Sequence, residues 1–310
     1  MAVRRAVFSG LVATGAVVSW ASISDDEYAL ALRNRLDSVP ILHDAWAWSR
    51  VQLDEMSSSF TKPVRDSLLP SWPLPMMPPE TPQPMTVVID LEDTLVKSTW
   101  DRRYGWRHAK RPGADEFLLT LARNGLEVVI FSSNIFGIAD PVVSLLDTKG
   151  CVMHRLYRDA CWFKEGKYIK DLSKLNRDER RIIIIDDDPD AYSMQPDNAI
   201  PIRKFVDPTD KSDTELREHL PFIDALVIED ARAKQQGRVA DVRATLRTYR
   251  NASKLQGGKS YAAIYNHLRL SRMSQHEEKK TKGLGGWARG GQPRGMQMAS
   301  KGLQDAAKRI

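Results

Sequence analysis

The stretch Val87-Val-Ile-Asp-Leu-Glu-Asp-Thr-Leu-Val96 runs an apolar strand straight into carboxylates. It is answered downstream by Ile182-Ile-Ile-Ile-Asp-Asp-Asp-Pro189, a second apolar run that ends in acids. Runs that are apolar at every position suit strands of a parallel sheet covered on both faces. Ligands of such sheets sit in the crevice outside the carboxyl ends of the strands, so Asp90, Glu92, Asp186 and Asp187 are expected to converge there. That arrangement is what a Mg²⁺-dependent aspartyl phosphotransferase needs.

Phosphoryl transfer through an aspartyl phosphate uses one carboxylate as nucleophile and another, two residues on, as acid and then base. Asp90 fits the first role. The second falls to Glu92, which carries one methylene more than an aspartate. A reacting group displaced by about 1 Å can lose on the order of 100-fold in rate, so this residue alone can silence a site while leaving the fold intact. Asp90, Asp186 and Asp187 offer hard oxygen ligands for Mg²⁺. Ser132, after the strand Val128-Val-Ile-Phe131, is a candidate donor to a phosphate oxygen, and Lys170 a candidate for neutralising its charge. Acids and small polar residues at strand ends are also common turn formers, so each residue alone is weak. Their order carries more: strand with Asp90, strand with Ser132, Lys170, then strand with Asp186 and Asp187. It predicts an α/β, haloacid-dehalogenase-like three-layer sandwich around a central, mostly parallel sheet.

Longer motifs surround these acids. They are Gly105-Trp-Arg-His-Ala-Lys-Arg-Pro-Gly-Ala-Asp-Glu-Phe117, Lys170-Asp-Leu-Ser-Lys-Leu-Asn-Arg-Asp178 and Gln195-Pro-Asp-Asn-Ala-Ile-Pro201. Together they resemble the Tim-fifty family, over about Pro70 to Tyr249. The family comprises presequence receptors of the mitochondrial inner-membrane presequence translocase, built on a domain similar to the polymerase C-terminal-domain phosphatases. The resemblance matches Asp90 to the phosphatase nucleophile, Thr94 to the closing threonine, Ser132 to the second motif's hydroxyl, Lys170 to the lysine, and Asp186 and Asp187 to the metal acids. Glu92 stands where the general-acid aspartate belongs. The resemblance implies a receptor that binds presequences in the intermembrane space and hands them to channel and receptor subunits, with no cofactor required and Mg²⁺ possible at a vestigial site. The alternative is a membrane-tethered, Mg²⁺-dependent protein serine/threonine phosphatase.

The formal charge of +6 is unevenly spread. From Asn251 to Ile310 there are 12 Lys or Arg against 3 acids, so the preceding region is mildly acidic and the tail strongly basic. Such a tail suits solvated disorder, or contact with an acidic partner or anionic lipid. Cys151 and Cys161 have neither the number nor the spacing for a zinc site or disulfide framework, and read as free core thiols. No nucleic-acid module is visible.

Met1–Arg5 is a short basic tail, and Ala6 to Ile23 is an uncharged stretch at the lower length limit for a membrane helix. Arg4 and Arg5 before it, with Asp25, Asp26 and Glu27 after it, favour an anchor with its N-terminus inside. With the resemblance, this puts the N-terminus in the matrix and the body in the intermembrane space. Residues 24–84 read as one or two short helices and then a proline-rich segment, Pro63 to Pro84, holding 8 of the 17 prolines and expected to be an extended spacer. The domain is expected over 85–249, with helices at Gly113–Arg123 and Pro141–Leu146, strands at Leu126–Phe131 and near Val152, and a basic tail over 250–310. Trp162-Phe-Lys-Glu-Gly-Lys-Tyr-Ile169 reads as a β-hairpin insertion. A presequence is a basic amphipathic helix, so its receptor should offer an apolar groove rimmed with acids. The candidates are Trp162, Phe163 and Tyr168 for the groove, with Asp159, Glu165, Asp186, Asp187 and Asp188 for the rim. Ser260 to Gln275 reads as a basic amphipathic helix that packs on its own domain or binds a partner, and Gly283 to Gly295 as disordered.

Overall fold

The computed structural model describes residues 61–284, together with 27 and 28. Contacts divide the chain into two compact units, Met1–Ile264 and Tyr265–Ile310. In the first, β1 (Thr86–Ile89), β4 (Glu127–Phe131), β5 (His154–Leu156), β8 (Ile182–Asp186) and β9 (Ala199–Pro201) form one sheet in the order β5-β4-β1-β8-β9, parallel throughout. The two apolar runs are the central pair. Val87, Val88, Ile89 and all four isoleucines of β8 are fully buried, as expected of strands with no solvent face.

The crossover from the hairpin β2–β3 (Val96–Asp101 and Gly105–Lys110) to β4 is helix α1 (Ala114–Arg123). Gly113 precedes it at φ +86°, which a residue with a Cβ adopts only with strain. Asp115 and Glu116 in its first turn and Arg123 in its last complement the helix dipole. Helix α2 (Phe136–Leu146) then leads to β5. It starts five residues before the expected start at Pro141, because an isolated proline inside a helix removes one hydrogen bond without ending it where neighbouring turns pack; Ala139, Val142, Val143 and Leu146 are buried. The strand expected near Val152 lies slightly later, at His154–Leu156. Strands β6 (Trp162–Lys164) and β7 (Lys167–Ile169) form the expected hairpin, with Glu165 and Gly166 both at positive φ in its two-residue turn. Helices α3 (Glu215–Gln235) and α4 (Val242–Leu255) follow, and α4 carries the chain through the expected boundary at 249. Both cysteines are free and buried.

Among the described residues, the buried cluster on one face of the sheet contains no α-helical residue, so turns and 3₁₀ segments stand there in place of the outer helical layer of the expected three-layer sandwich. Val88, Val129, Phe131, Ile182, Ile184 and Ala199 pack there against Ala160, Cys161, Leu172, Leu175 and Tyr192 from turns and 3₁₀ segments, and against Leu69. Leu69 belongs to the proline-rich segment, which is therefore a strap on the domain and not an extended spacer. The Val64 and Leu68 amides donate to the carbonyls of Asp159 (2.9 Å) and Lys174 (2.8 Å), and the Arg181 guanidinium donates to Gln83 O (2.6 Å). Proline removes amide donors but leaves carbonyls and side chains free to engage the domain, and composition alone does not reveal that engagement.

The three long motifs are joints of this fold. Arg111, almost fully buried, donates from Nε and Nη2 to Asp213 (3.1 and 2.9 Å) and from Nη1 to Thr94 O (3.2 Å), so the Lys-Arg-Pro-Gly segment braces the loop after β1. Arg177 of Leu-Asn-Arg-Asp ties the strap to the start of β4 through Pro70 O (2.7 Å) and Glu127. Asn198 donates to the carbonyls of Glu179 (2.7 Å) and Ile182 (2.8 Å), fixing the approach to β9.

Helix α5 (Tyr261–Leu284) replaces the shorter expectation of Ser260–Gln275. Its first turn belongs to the first unit, where Tyr261, Ala262 and Ile264 are buried and Tyr261 stacks edge-on to Phe222 at 6.3 Å. The second unit continues the helix, with Leu270 and Met273 exposed. No helix among the described residues is long and apolar enough to cross a membrane. The expected anchor at Ala6–Ile23, the short helices expected ahead of the proline-rich segment (apart from 27 and 28) and most of the Gly283–Gly295 segment lie outside the described residues.

Candidate functional site

Parallel register places the two acidic strand ends side by side. Ile89 pairs with Ile185, so Asp90 and Asp186 stand one residue further on, and the Asp90 amide donates to Ile185 O at 3.0 Å. Lys170 bridges them. Its Nζ lies 2.5 Å from Asp90 Oδ1 and 2.6 Å from Asp186 Oδ2, with all three side chains buried. The lysine thus neutralises two carboxylates of its own chain, a role beyond the expected one toward phosphate. Asp187 is half-buried and accepts from Thr94 Oγ1 at 2.9 Å, and Asp186 Oδ1 accepts the Asp188 amide at 2.9 Å.

Three carboxylates against one ammonium leave an excess of negative charge in a poorly solvated place. Burial, opposed by the Lys170 ammonium, pushes the Asp90 carboxyl up to about 8. Burial also raises Asp187, partly offset by the Thr94 hydroxyl. Lys170, which burial alone would push down, is held above its ordinary range by Asp90 and Asp186. One oxygen each from Asp90, Asp186 and Asp187 lies within 4.8 Å of the others, a hard-oxygen set that fits Mg²⁺. Bound there, the ion would neutralise the oxygens of a transferring phosphoryl group.

Glu92 is outside that set. Its Oε1 accepts from Ser98 Oγ on β2 at 2.8 Å, and the same Oγ lies 2.6 Å from His108 Nδ1 on β3. Burial raises the Glu92 carboxyl, partly offset by the Ser98 hydroxyl. The residue expected to serve leaving group and water is thus engaged by the hairpin. Next to it, Asp93 adopts φ 59° and meets Lys97 (2.6 Å) and Lys204 (2.8 Å). Burial would raise Asp93, but the hydrogen bonds from Lys204 and Lys97 outweigh it and lower its pKa. Ser132 is buried beyond β4, and its Oγ accepts the Asn134 amide at 3.1 Å. Sequence reasoning missed Ser98, His108 and Lys204. Ser98 and His108 face each other only through the β2–β3 register, and no sequence spacing announces that pairing.

The second group of candidates lies on the β6–β7 hairpin and its surroundings. Phe163 and Tyr168 are cross-strand partners with ring centroids 4.9 Å apart, and the Arg158 guanidinium sits 4.6 Å over the Tyr168 ring. Phe163 is exposed, while Tyr168 packs partly against the core. Trp162 is half-buried and donates to Asp171 Oδ2 at 3.3 Å. Asp159, Glu165 and Asp188 are exposed as a rim requires. Asp186 is not a rim acid, since parallel pairing puts it inside, under Lys170.

Residues 85–234 match the family of NLI interacting factor-like phosphatases. The chain is 42% identical over 279 residues to the mitochondrial import inner membrane translocase subunit TIM50 of Phytophthora infestans, covering 89% of this chain and 64% of that protein. It is 37% identical over 254 residues to the subunit of the same name from Candida glabrata, covering 80% of this chain and 48% of the relative. The chain therefore spans less than two thirds of the length of these relatives. A solved structure of Fcp1, an essential RNA polymerase II CTD phosphatase, aligns over 58% of this chain and 69% of its own at 17% identity, with a TM-score of 0.36.

Proposed function

We propose that the chain is a member of the TIM50 family and acts as a subunit of the mitochondrial inner-membrane presequence translocase, binding presequences in the intermembrane space and passing them to the channel for import into the matrix. In this reading the protein is anchored in the inner membrane by Ala6–Ile23, with its N-terminus in the matrix. The observation that carries the reading is the tie between Glu92 and Ser98: the phosphatase fold and metal acids are kept, while the acid–base carboxylate is engaged elsewhere. A receptor needs the scaffold and not the turnover.

The presequence surface we favour is the ledge of Phe163 and Tyr168, with Glu165, Asp159 and Asp188 as charged partners for a basic helix. Replacing Phe163 by Ser together with Glu165 by Lys should weaken binding of a fluorescent presequence peptide to the full chain without lowering its thermal stability. Unchanged affinity would remove the ledge from the reading.

A second reading, a membrane-tethered Mg²⁺-dependent serine/threonine phosphatase, is favoured by the closeness of Asp90, Asp186 and Asp187. Sustained, Asp90-dependent phosphate release from a phosphopeptide would support it.

A further inference from the structure

Helix α5 carries the chemistry that the ledge is proposed to receive. Between Asp241 and Glu277 the chain has no acidic residue, and the helix within that stretch holds Arg269, Arg272, Ser271, Ser274, Leu270 and Met273. A basic, serine-containing, acid-free amphipathic helix has the pattern of an import presequence. Leu270 is 66% and Met273 51% exposed, and a spacing of three puts them on one face of the helix. Arg269 and Arg272 are exposed beside them, and neither meets a carboxylate among the described residues.

The ledge is the complement of that helix. Phe163 and Tyr168 offer two rings with centroids 4.9 Å apart. Asp159 and Asp188 are exposed and meet no cation among the described residues, and Glu165 has only the exposed Lys164 at 3.8 Å, a contact that contributes little. The cations of the ledge are engaged at home: Arg158 donates to Ser133 O at 2.7 Å and covers the Tyr168 ring, and Lys167 meets Asp190 at 2.5 Å. Helix α5 runs unbroken from Tyr261 to Leu284, which gives its exposed half no hinge at which to fold back. A second copy of the chain supplies the same ledge in trans.

We propose that the exposed half of α5 is an internal presequence mimic that docks on the acid-rimmed ledge of a second copy of this chain, so that presequences compete with self-association. This rests on the reading of the ledge as a presequence surface. Contact between a helix of one copy and the ledge of the next is heterologous, and its small footprint makes the association weak and reversible.

The test is sedimentation velocity of the full chain in nonionic detergent over a series of concentrations. The mass of the wild type should rise with concentration and return to that of one chain when an amphipathic presequence peptide is added in excess. Arg269→Glu with Arg272→Glu reverses the helix, and Asp159→Lys with Glu165→Lys reverses the ledge. Each double variant alone should keep the mass of one chain. An equal mixture of the two should associate again, because reversed helix meets reversed ledge and ordinary helix meets ordinary ledge. Should a charge variant misfold, Leu270→Ser with Met273→Ser removes the apolar contact alone and should also abolish the rise. A wild type with the mass of one chain at every concentration, or a mixture that fails to associate, would overturn the proposal. So would a synthetic peptide of residues 260–275 that binds vesicles of phosphatidylcholine and phosphatidylserine but not the chain, since the helix would then serve a lipid surface. A chain that binds presequence without self-association loses this interface alone, whereas one whose mixture associates without binding presequence keeps the interface and loses the receptor reading.

Discussion

Arg177 meets Glu127 through two hydrogen bonds, Nε to Oε2 at 2.8 Å and Nη2 to Oε1 at 2.7 Å, with both side chains fully buried. Thr86 Oγ1 donates to the same carboxylate at 2.7 Å, and Nη1 of the arginine reaches Pro70 O in the strap. One ion pair therefore joins the beginnings of β1 and β4 to a segment that precedes residues 85–234.

Removing one partner of such a pair leaves a buried charge without compensation. Arg177→Met should cost about 3–5 kcal/mol in urea unfolding, and adding Glu127→Leu should recover much of that loss. A single mutant within experimental error of wild type would show that water reaches the carboxylate.

The same carboxylate gives the fold an acid limit. Burial alone would raise Glu127, but the His154 imidazole 3.2 Å away and hydrogen bonds from Arg177 and Thr86 outweigh it and bring it from 4.5 to about 2. The folded value lies below the unfolded one, so the unfolded chain takes up the proton first. The stabilisation is present above the unfolded value of 4.5 and is lost as pH falls toward about 2. Unfolding free energy measured against pH should fall across this window in wild type, and less steeply in Glu127→Gln.

The strap makes a further prediction. Leu69 is 3% exposed in the cluster beneath the sheet, so Leu69→Ala should destabilise by about 2–5 kcal/mol, and a chain cut at residue 85 should lose at least as much. Denaturation midpoints of the two variants equal to that of the intact chain would return Pro63–Pro84 to the status of a spacer.

How much of this was legible beforehand depends on what carries each feature. The central strands were readable because β1, β4 and β8 are apolar at consecutive positions, and the β6–β7 hairpin because aromatic and β-branched residues flank Glu165-Gly166. Asp90, Lys170, Asp186 and Asp187 could be placed together because parallel strands deliver their carboxyl ends to one edge. The strap was not readable, since Leu68 and Leu69 show no strand or helix periodicity among the prolines, and the Arg177 that ties the segment down at Pro70 O lies more than 100 positions away. The β2–β3 hairpin was missed because its strands are rich in Arg, Lys and Trp and largely exposed, so no alternation betrays a core face. Without that hairpin the partners of Glu92 were invisible.

The acid set predicts a response to divalent cation. Mg²⁺ should raise the thermal midpoint of the wild type, by the equivalent of about 2.7 kcal/mol at 100 times the dissociation constant, and Asp187→Asn should abolish most of the shift. Equal shifts in both proteins would place the bound ion elsewhere.

The central claim is presequence recognition without turnover. Its most direct test is titration of a fluorescent presequence peptide with the full chain, alongside a peptide of identical composition scrambled to remove its amphipathic face, with phosphate release from a phosphopeptide followed under the same Mg²⁺ conditions. Saturable binding of the amphipathic peptide alone, with no sustained phosphate release, is the predicted result. Equal binding of both peptides, or Asp90-dependent release continuing over many turnovers, would contradict it.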